Sequence, residues 1–285
     1  MVKEHLSKMH GRPEDTHKGD FGHVFVVAGS TGMTGAAYLA SQGALLSGSG
    51  LVTCGIPKNL NTIMEIKLTE AMTLPLSDTK DGALNASSAE EISEFSKKCD
   101  ALALGPGLGR QKETLKAARS ALKKVNKPVV LDADGIISLV GKTDILKNRR
   151  FTTVLTPHPG EFSKLTGKDV SAIQRDREKT AKAFAKKHNV VLVLKGHRTV
   201  VASPKGAVYV NTTGNSGMSS GGVGDVLTGM IASFIGQGID SYSASVIGVY
   251  VHGLAGDMAA REKGQFSLIA SDILEKLPEA IQEAI

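Results

Sequence analysis

Short runs of β-branched and other apolar residues recur along the chain, each followed by a glycine-rich or polar turn and then by helical spacing: HVFVVAGS (23–30), GLVTCGIP (50–57), DALALGPG (100–107), KPVVLDADG (127–135), TTVLTPHPG (152–160) and VVLVLKG (190–196). Strand, turn and helix in strict alternation close as parallel βαβ units, because parallel neighbours need a crossover between them. Several runs are apolar almost throughout, which predicts strands covered by helices on both faces. After Lys195 the rhythm changes. TVVASP (199–204) and AVYVN (207–211) flank the turn signal Pro204-Lys205-Gly206 and predict an antiparallel extension. The rest reads as helix over 226–236, about 241–262 and about 271–285. No low-complexity linker or long repeat interrupts the pattern, so a single α/β domain spanning 1–285, built on a mostly parallel central sheet, is expected.

Composition narrows the function classes. The chain has 285 residues, 41% hydrophobic and 22% charged, with 32 glycines and an aromatic share of only 4%. Its net charge of +6 resides largely in helix-like runs such as SALKKVNK and DREKTAKAFAKKH, which read as solvated helix faces. With no Trp and no interleaving of aromatic and basic residues, nucleic-acid binding is not expected. Two cysteines far apart, Cys54 and Cys99, suggest neither a disulfide framework nor a zinc site and fit a reducing cytoplasm. The polar start carries no signal-peptide core, and no stretch approaches the roughly 20 apolar residues that span a bilayer. A soluble, unexported protein without a membrane partner is expected.

In open parallel α/β sheets, ligands collect outside the carboxyl ends of the strands. Residues 29–35, 105–109, 132–135, 156–161 and 195 all follow strand-like runs, which predicts a phosphate-rich or dinucleotide-sized cleft. Neither a Walker-type phosphate loop nor a G-x-G-x-x-G fingerprint occurs in the chain. Instead, residues 211–229 hold six glycines and end in GGVGDVLTG, with a helix expected to begin near Gly224 or Asp225. An acid in the first turn of that helix could accept a proton from a hydroxyl while backbone N–H groups stabilise a transferring phosphoryl group. A capping Asp behind a loose loop fits the same residues. Gly217 to Gly221 also matches the G-x-S-x-G nucleophile elbow. A triad of Ser219, Asp240 and His252 has the chain order of a hydrolase, but the last strand-like run ends well before Ser219 and His252 lies inside an apolar helical stretch.

The helix-start GGVGD resembles the G-x-G-D signature of the ribokinase-like superfamily. Six ordered blocks, HKGDFGHVFVVAGSTGMTGAAYLA (17–40), GPGLG (105–109), VVLDADG (129–135), LTPHPGEFSKLTG (155–167), VVLVLKGHRTVV (190–201) and NTTGNSGMSSGGVGDVLTG (211–229), together resemble the NAD(P)H-hydrate dehydratase family across nearly the whole chain. The resemblance implies a ribokinase-like three-layer α/β/α fold. It implies a repair enzyme that returns the S epimer of hydrated NADH or NADPH to the working cofactor. ADP or ATP is the phosphoryl donor, phosphorylation makes the C6 hydroxyl a leaving group, and elimination of phosphate restores the ring. It further implies magnesium, assembly into homotetramers and, since a chain of this length leaves no room for the epimerase fused to some relatives, a separate epimerase in the same pathway.

Carried over residue by residue, Asp225 matches the family's acid, and Gly222, Val223 and Gly224 its anion hole. Ala36, Gly107 and His158 match positions that line the hydrated dinucleotide. Lys195, Gly196, His197, Arg198 and Thr199, with Gly224, match the stretch that contacts the adenine nucleotide. Glu161 stands where related kinases carry an acid that organises magnesium, usually through water, and His158 replaces their asparagine, which favours the dehydratase over vitamin-precursor kinases. Val223 occupies a position that often holds Thr. Taken singly, Ala36 would also suit helix packing, Gly107 a turn, His158 a turn before Pro159, and Lys195 a strand-end cation that snorkels to water. Asp132 fits either a helper of water or metal or an Asx turn, and it stands outside the catalytic set. A small-molecule kinase for a hydroxylated vitamin precursor and a silent nucleotide-binding module are the remaining alternatives.

Overall fold

The computed structural model describes residues 2–9 and 11–285. Its strands are β1 (His23–Val27), β2 (Leu51–Pro57), β3 (Met72–Leu76), β4 (Ala101–Leu104), β5 (Val129–Leu131), β6 (Thr153–Leu155), β7 (Val191–Leu194), β8 (Val200–Ala202) and β9 (Val208–Val210). They form one sheet in the order β3-β2-β1-β4-β5-β6-β7-β8-β9. Every pairing from β3 to β7 is parallel, whereas β7-β8 and β8-β9 are antiparallel, as the two runs around Pro204 predict. The strand that the sequence pattern passed over is β3. Its Pro75 has no N–H to give to a ladder, so the segment does not read as a strand, yet an edge position tolerates it.

The helices in the first half are α1 (Val2–Leu6), α2 (Thr34–Leu46), α3 (Asn61–Lys67), α4 (Ser88–Ser96), α5 (Lys112–Lys124) and α6 (Ala133–Ile137). Those in the second half are α7 (Pro159–Thr166), α8 (Val170–Arg175), α9 (Arg177–His188), α10 (Val223–Gly236), α11 (Ser241–Lys263) and α12 (Ala270–Ala284). Side chains alternate across the sheet, so Val24 and Val26 of β1 enter one apolar core with α2, α10, α11 and α12, while Phe25 and Val27 enter another with α4, α5, α7 and α9. Two cores on one sheet make three layers and explain why the strand runs are apolar throughout. Among the described residues no helix is long and apolar enough to cross a membrane.

The layer containing α10 is held at unusually short range. A Cβ on Gly229 of α10 would lie 1.9 Å from the Ala40 carbonyl oxygen of α2, and one on Gly43 of α2 would lie 2.5 Å from the Val226 carbonyl oxygen of α10. Both helices therefore meet backbone to backbone through glycines. Leu104, Leu131 and Leu155 stand level in the register, so the residues after them share one edge of the sheet. Helix α10 packs on β1, β4 and β5, which brings its beginning to that edge.

In Gly229→Ala the added methyl gains about 1 kcal/mol of helix propensity but must push a carbonyl aside, at a cost of about 3 kcal/mol or more. A net loss of about 2 kcal/mol is expected, read as a lower Tm in thermal unfolding.

Candidate active site

Helix α10 starts at Val223, one residue earlier than the sequence suggests, after Gly222 in the left-handed conformation at φ 90°. A side chain there would be strained by the backbone and would also meet Leu39 at 2.4 Å. The Asp225 N–H closes the first turn onto the Gly222 carbonyl at 3.0 Å. The N–H groups of Gly222, Val223 and Gly224 donate to no acceptor among the described residues, and they stand where a helix N-terminus carries its partial positive charge. Asp225, half-buried in the same turn, likewise accepts no side-chain hydrogen bond there. Burial first, and then the charge of Asp132, push its carboxyl up to about 7, although Lys195 pulls the other way.

Lys195, at the end of β7, lies directly beneath this turn. Its Nζ is 3.0 Å from where a Gly224 Cβ would stand, and it forms an ion pair of 2.7 Å with Asp132 Oδ1 at the end of β5. Burial would lower the Lys195 ammonium, but Asp132, Glu161 and Asp225 outweigh it and hold the pKa raised. The other oxygen of Asp132 accepts the Thr228 hydroxyl of α10 at 2.9 Å. Asp132 is only 1% exposed and its side chain caps nothing, so the Asx turn weighed for it is not formed. Nor does Lys195 snorkel as a free strand-end cation.

A second group of residues gathers at the ends of β1 and β4. A Cβ on Gly107, at φ 61°, would lie 2.9 Å from the Ala36 methyl, so these two positions form one wall. The Ser30 hydroxyl donates to the Gly107 carbonyl at 2.9 Å and braces the turn. Beyond it, the Gly109 N–H and Arg110 Nε donate to the two oxygens of Asp134, at 2.9 and 2.8 Å. His158 is the N-cap of α7, its Nδ1 accepting from Gly160 and Glu161 N–H while Glu161 Oε2 accepts from the His158 N–H at 2.9 Å. Its imidazole is therefore tied to its own helix start, more than a simple turn before Pro159 requires. Gly196 to Thr199 form the tight turn from β7 to β8, with Arg198 at φ 53° and the Thr199 hydroxyl on the Gly196 carbonyl; His197 and Arg198 are exposed.

Glu161 is buried and accepts the His158 N–H, and unlike Asp132 and Asp134 it is paired with no Lys or Arg, which leaves it able to act on a metal through water. Among the described residues no three His, Cys, Asp or Glu converge on a metal position. This donor set fits magnesium carried in with phosphates and water, which is how Mg²⁺ is most often held, and does not fit an all-protein cage.

The hydrolase alternative fails on geometry. His252 donates its Nε2 hydrogen to the Val223 carbonyl at 2.9 Å, and burial pushes it down to about 4, so it stands neutral as a brace for α10. Asp240 caps α11 on the Ser243 N–H and pairs with Lys8, twelve residues and about 18 Å of helix away from His252. Asp132 and Asp134, expected at the cleft but outside the catalytic set, belong to the cluster, as do Arg110 and Thr228, which sequence reading did not single out. The one signal for the acids was a carboxylate standing directly after a continuously apolar strand, as Asp132 does.

The sequence model of a family described as NAD(P)H-hydrate dehydratase matches residues 24–279. The chain is 44% identical over 272 residues to the bifunctional NAD(P)H-hydrate repair enzyme of Moorella thermoacetica, covering 95% of this chain and 51% of that protein. It thus spans about half the length of the first curated relatives it matches. The ADP-dependent (S)-NAD(P)H-hydrate dehydratase of Bacillus subtilis is 35% identical over 278 residues, covering 97% of this chain and 95% of that one. A crystal structure of the Bacillus subtilis ADP/ATP-dependent dehydratase, co-crystallised with ATP and Mg²⁺, superposes with a TM-score of 0.87 at 32% identity over 100% of this chain and 98% of that one. Arabidopsis thaliana ribokinase, at 16% identity and a TM-score of 0.51 over 89% of this chain and 98% of that one, shares the fold alone, which is ribokinase-like. By family match, identity and fold, the chain belongs to the NAD(P)H-hydrate dehydratase family.

Proposed function

We propose that the chain is an enzyme that dehydrates the S epimer of hydrated NADH or NADPH at the expense of ADP or ATP, and that it works as one domain. The observation that carries this reading is Asp225, a carboxyl raised to about 7 and, among the described residues, unpartnered, beside three helix N–H groups that have no acceptor there. A base matched to neutral pH is what proton transfer from a substrate hydroxyl requires. Asp225 takes the proton of the C6 hydroxyl as that oxygen attacks the terminal phosphorus of the nucleotide, and the bond from phosphorus to the leaving nucleotide oxygen breaks. The N–H groups of Gly222, Val223 and Gly224 stabilise the charge on the transferring group, with the Lys195 ammonium next to them. The C6–O bond then breaks, phosphate departs with the bonding pair, and electrons from the ring nitrogen, with loss of the neighbouring proton, restore the dihydronicotinamide.

In this reading Ala36, Gly107 and His158 line the dinucleotide side, and Lys195 to Thr199 with Gly224 line the adenine-nucleotide side. Magnesium, when bound, neutralises charge on the phosphates, and Glu161 would hold it through water. The bifunctional name of the Moorella relative supports a companion epimerase that supplies the S epimer. Cytoplasmic action fits two free, buried cysteines, and assembly into homotetramers is carried from the family resemblance.

Incubation with hydrated NADH and ADP or ATP should restore the absorbance band of the dihydronicotinamide, with free phosphate formed. No recovery with either nucleotide refutes the reading, and accumulation of a stable phosphate ester of a vitamin precursor would favour the kinase instead. Asp225→Asn should lose at least about 100-fold in kcat with nucleotide binding kept; unchanged turnover would leave a silent binding module.

The acid limb of kcat/KM should lie near pH 7, where Asp225 loses its proton, instead of near pH 4. The same shift acts on stability. An acid whose folded pKa is raised above its unfolded value holds more protons when folded, so its ionisation destabilises the fold as pH climbs from about 4 to 7. Asp225→Asn should therefore gain on the order of 2 kcal/mol over wild type at pH 8, the gain shrinking toward pH 5, as read by thermal unfolding.

A further inference from the structure

Three carboxylates, those of Asp132, Glu161 and Asp225, act on a single ammonium here. Lys195 sits within reach of the charges of both Asp132 and Asp225, yet its ion pair is with Asp132 at 2.7 Å. Asp132 wins because it is fixed from several sides. Its N–H donates to the Leu104 carbonyl at 3.1 Å, its own carbonyl accepts from Gly135 at 2.9 Å, and its free oxygen accepts the Thr228 hydroxyl at 2.9 Å. That hydroxyl also lies 3.1 Å from the Gly224 carbonyl, but its single proton goes to the charged acceptor, which forms the stronger bond. Asp132 thereby ties the ends of β5 and β7 to the first turns of α10.

We propose that Asp132 is a positioning residue: it holds the Lys195 ammonium under Gly224 and away from Asp225, so that the Asp225 carboxylate stays free to take a proton. The inference rests on Asp225 being the base. A buried ammonium does not stay unpaired, so without the Asp132 charge Lys195 moves to the remaining acids, of which Asp225 is accessible and unpartnered. A base locked in that ion pair is a weaker base. The charged groups that face Asp225 are Asp132 at the end of β5, Lys195 at the end of β7, Glu161 on α7 and Asp134 on α6. Of the four, only Lys195 can pair with it.

The test compares wild type, Asp132→Asn, Lys195→Met and the double variant, by kcat/KM against pH and by carboxyl carbon NMR titration of Asp225. In Asp132→Asn, kcat should fall about 10-fold or more and the acid limb should drop by at least about one pH unit, the NMR titration moving with it. Loss of like-charge repulsion and gain of the ion pair both act in that direction. Loss of the Asp132 charge lowers the limb even if Lys195 stays in place, so the repositioning is read from the part of the drop that disappears in the Lys195→Met background and from the Asp225 titration of Thr228→Val, which keeps the charge. In the Lys195→Met background, Asp132→Asn should cost markedly less, because no ammonium remains to be misplaced. An unmoved titration of Asp225, or fully additive losses, overturns the proposal. Should Asp132→Asn fail to fold, Thr228→Val carries the test: it keeps the charge but releases one oxygen of Asp132, and an unshifted Asp225 titration in that variant equally overturns it. The titration is read without substrate, so it reports on the positioning of Lys195 even where turnover of the hydrate is absent and the functional reading itself has failed.

Discussion

Two missing side chains determine how near α10 comes to α2. Gly229 admits the Ala40 carbonyl of α2, and Gly43 admits the Val226 carbonyl of α10, so that backbone meets backbone where Cβ atoms would ordinarily keep the helices apart. This approach fixes α10 along its length. Its first turn then reaches the level at which β4, β5 and β6 end, and its N–H groups stand over Lys195. If the helix were moved outward by the thickness of one methyl, Thr228 would no longer reach Asp132.

Four acids share the site, and each takes a different part through its neighbours. Asp134 is neutralised by Arg110 and grips the turn after β4; Asp132 is neutralised by Lys195; Glu161 closes the capping box of α7. Asp225 has no partner among the described residues, and it is the one raised to about 7. Identical chemistry thus yields a clamp, an anchor, a cap and one free carboxyl. The difference lies in which cation or N–H group each element delivers, since a paired carboxylate is held ionised and an unpaired buried one is driven toward its neutral form.

Much of this was legible in the residue order. The six apolar runs announce a parallel sheet because a strand buried on both faces leaves no polar alternation, and Pro204-Lys205-Gly206 announces the reversal from β8 into β9. What escaped is what depends on distance in the chain. Pro75 disguises β3, because its place at the sheet edge is a property of the assembled sheet. Asp132 fitted a helper of water or metal and an Asx turn equally, since its partners stand 63 and 96 residues away, at Lys195 and Thr228. His158 was expected at the site from the family resemblance, but its role in capping α7 needed the side-chain geometry. The contact of Ala36 with Gly107 could be matched to a family pattern, yet nothing local to either residue announces it.

Helix α11 is buried on nearly every side, as a central helix of one layer should be. It nevertheless carries His252, which steadies the Val223 carbonyl, and Asp257, whose oxygens accept the Gly214 N–H and the Asn215 amide. It also presents Gly253 and Gly256 where Thr213 and Met218 press against it, closer than any Cβ would allow. The loop that leads into the first turn of α10 is thus cast against the interior face of α11. An apolar replacement of α11 could fill the same volume and still give the loop the wrong shape, so the form of the turn that opens α10 is inherited through core positions as much as through GGVGD itself.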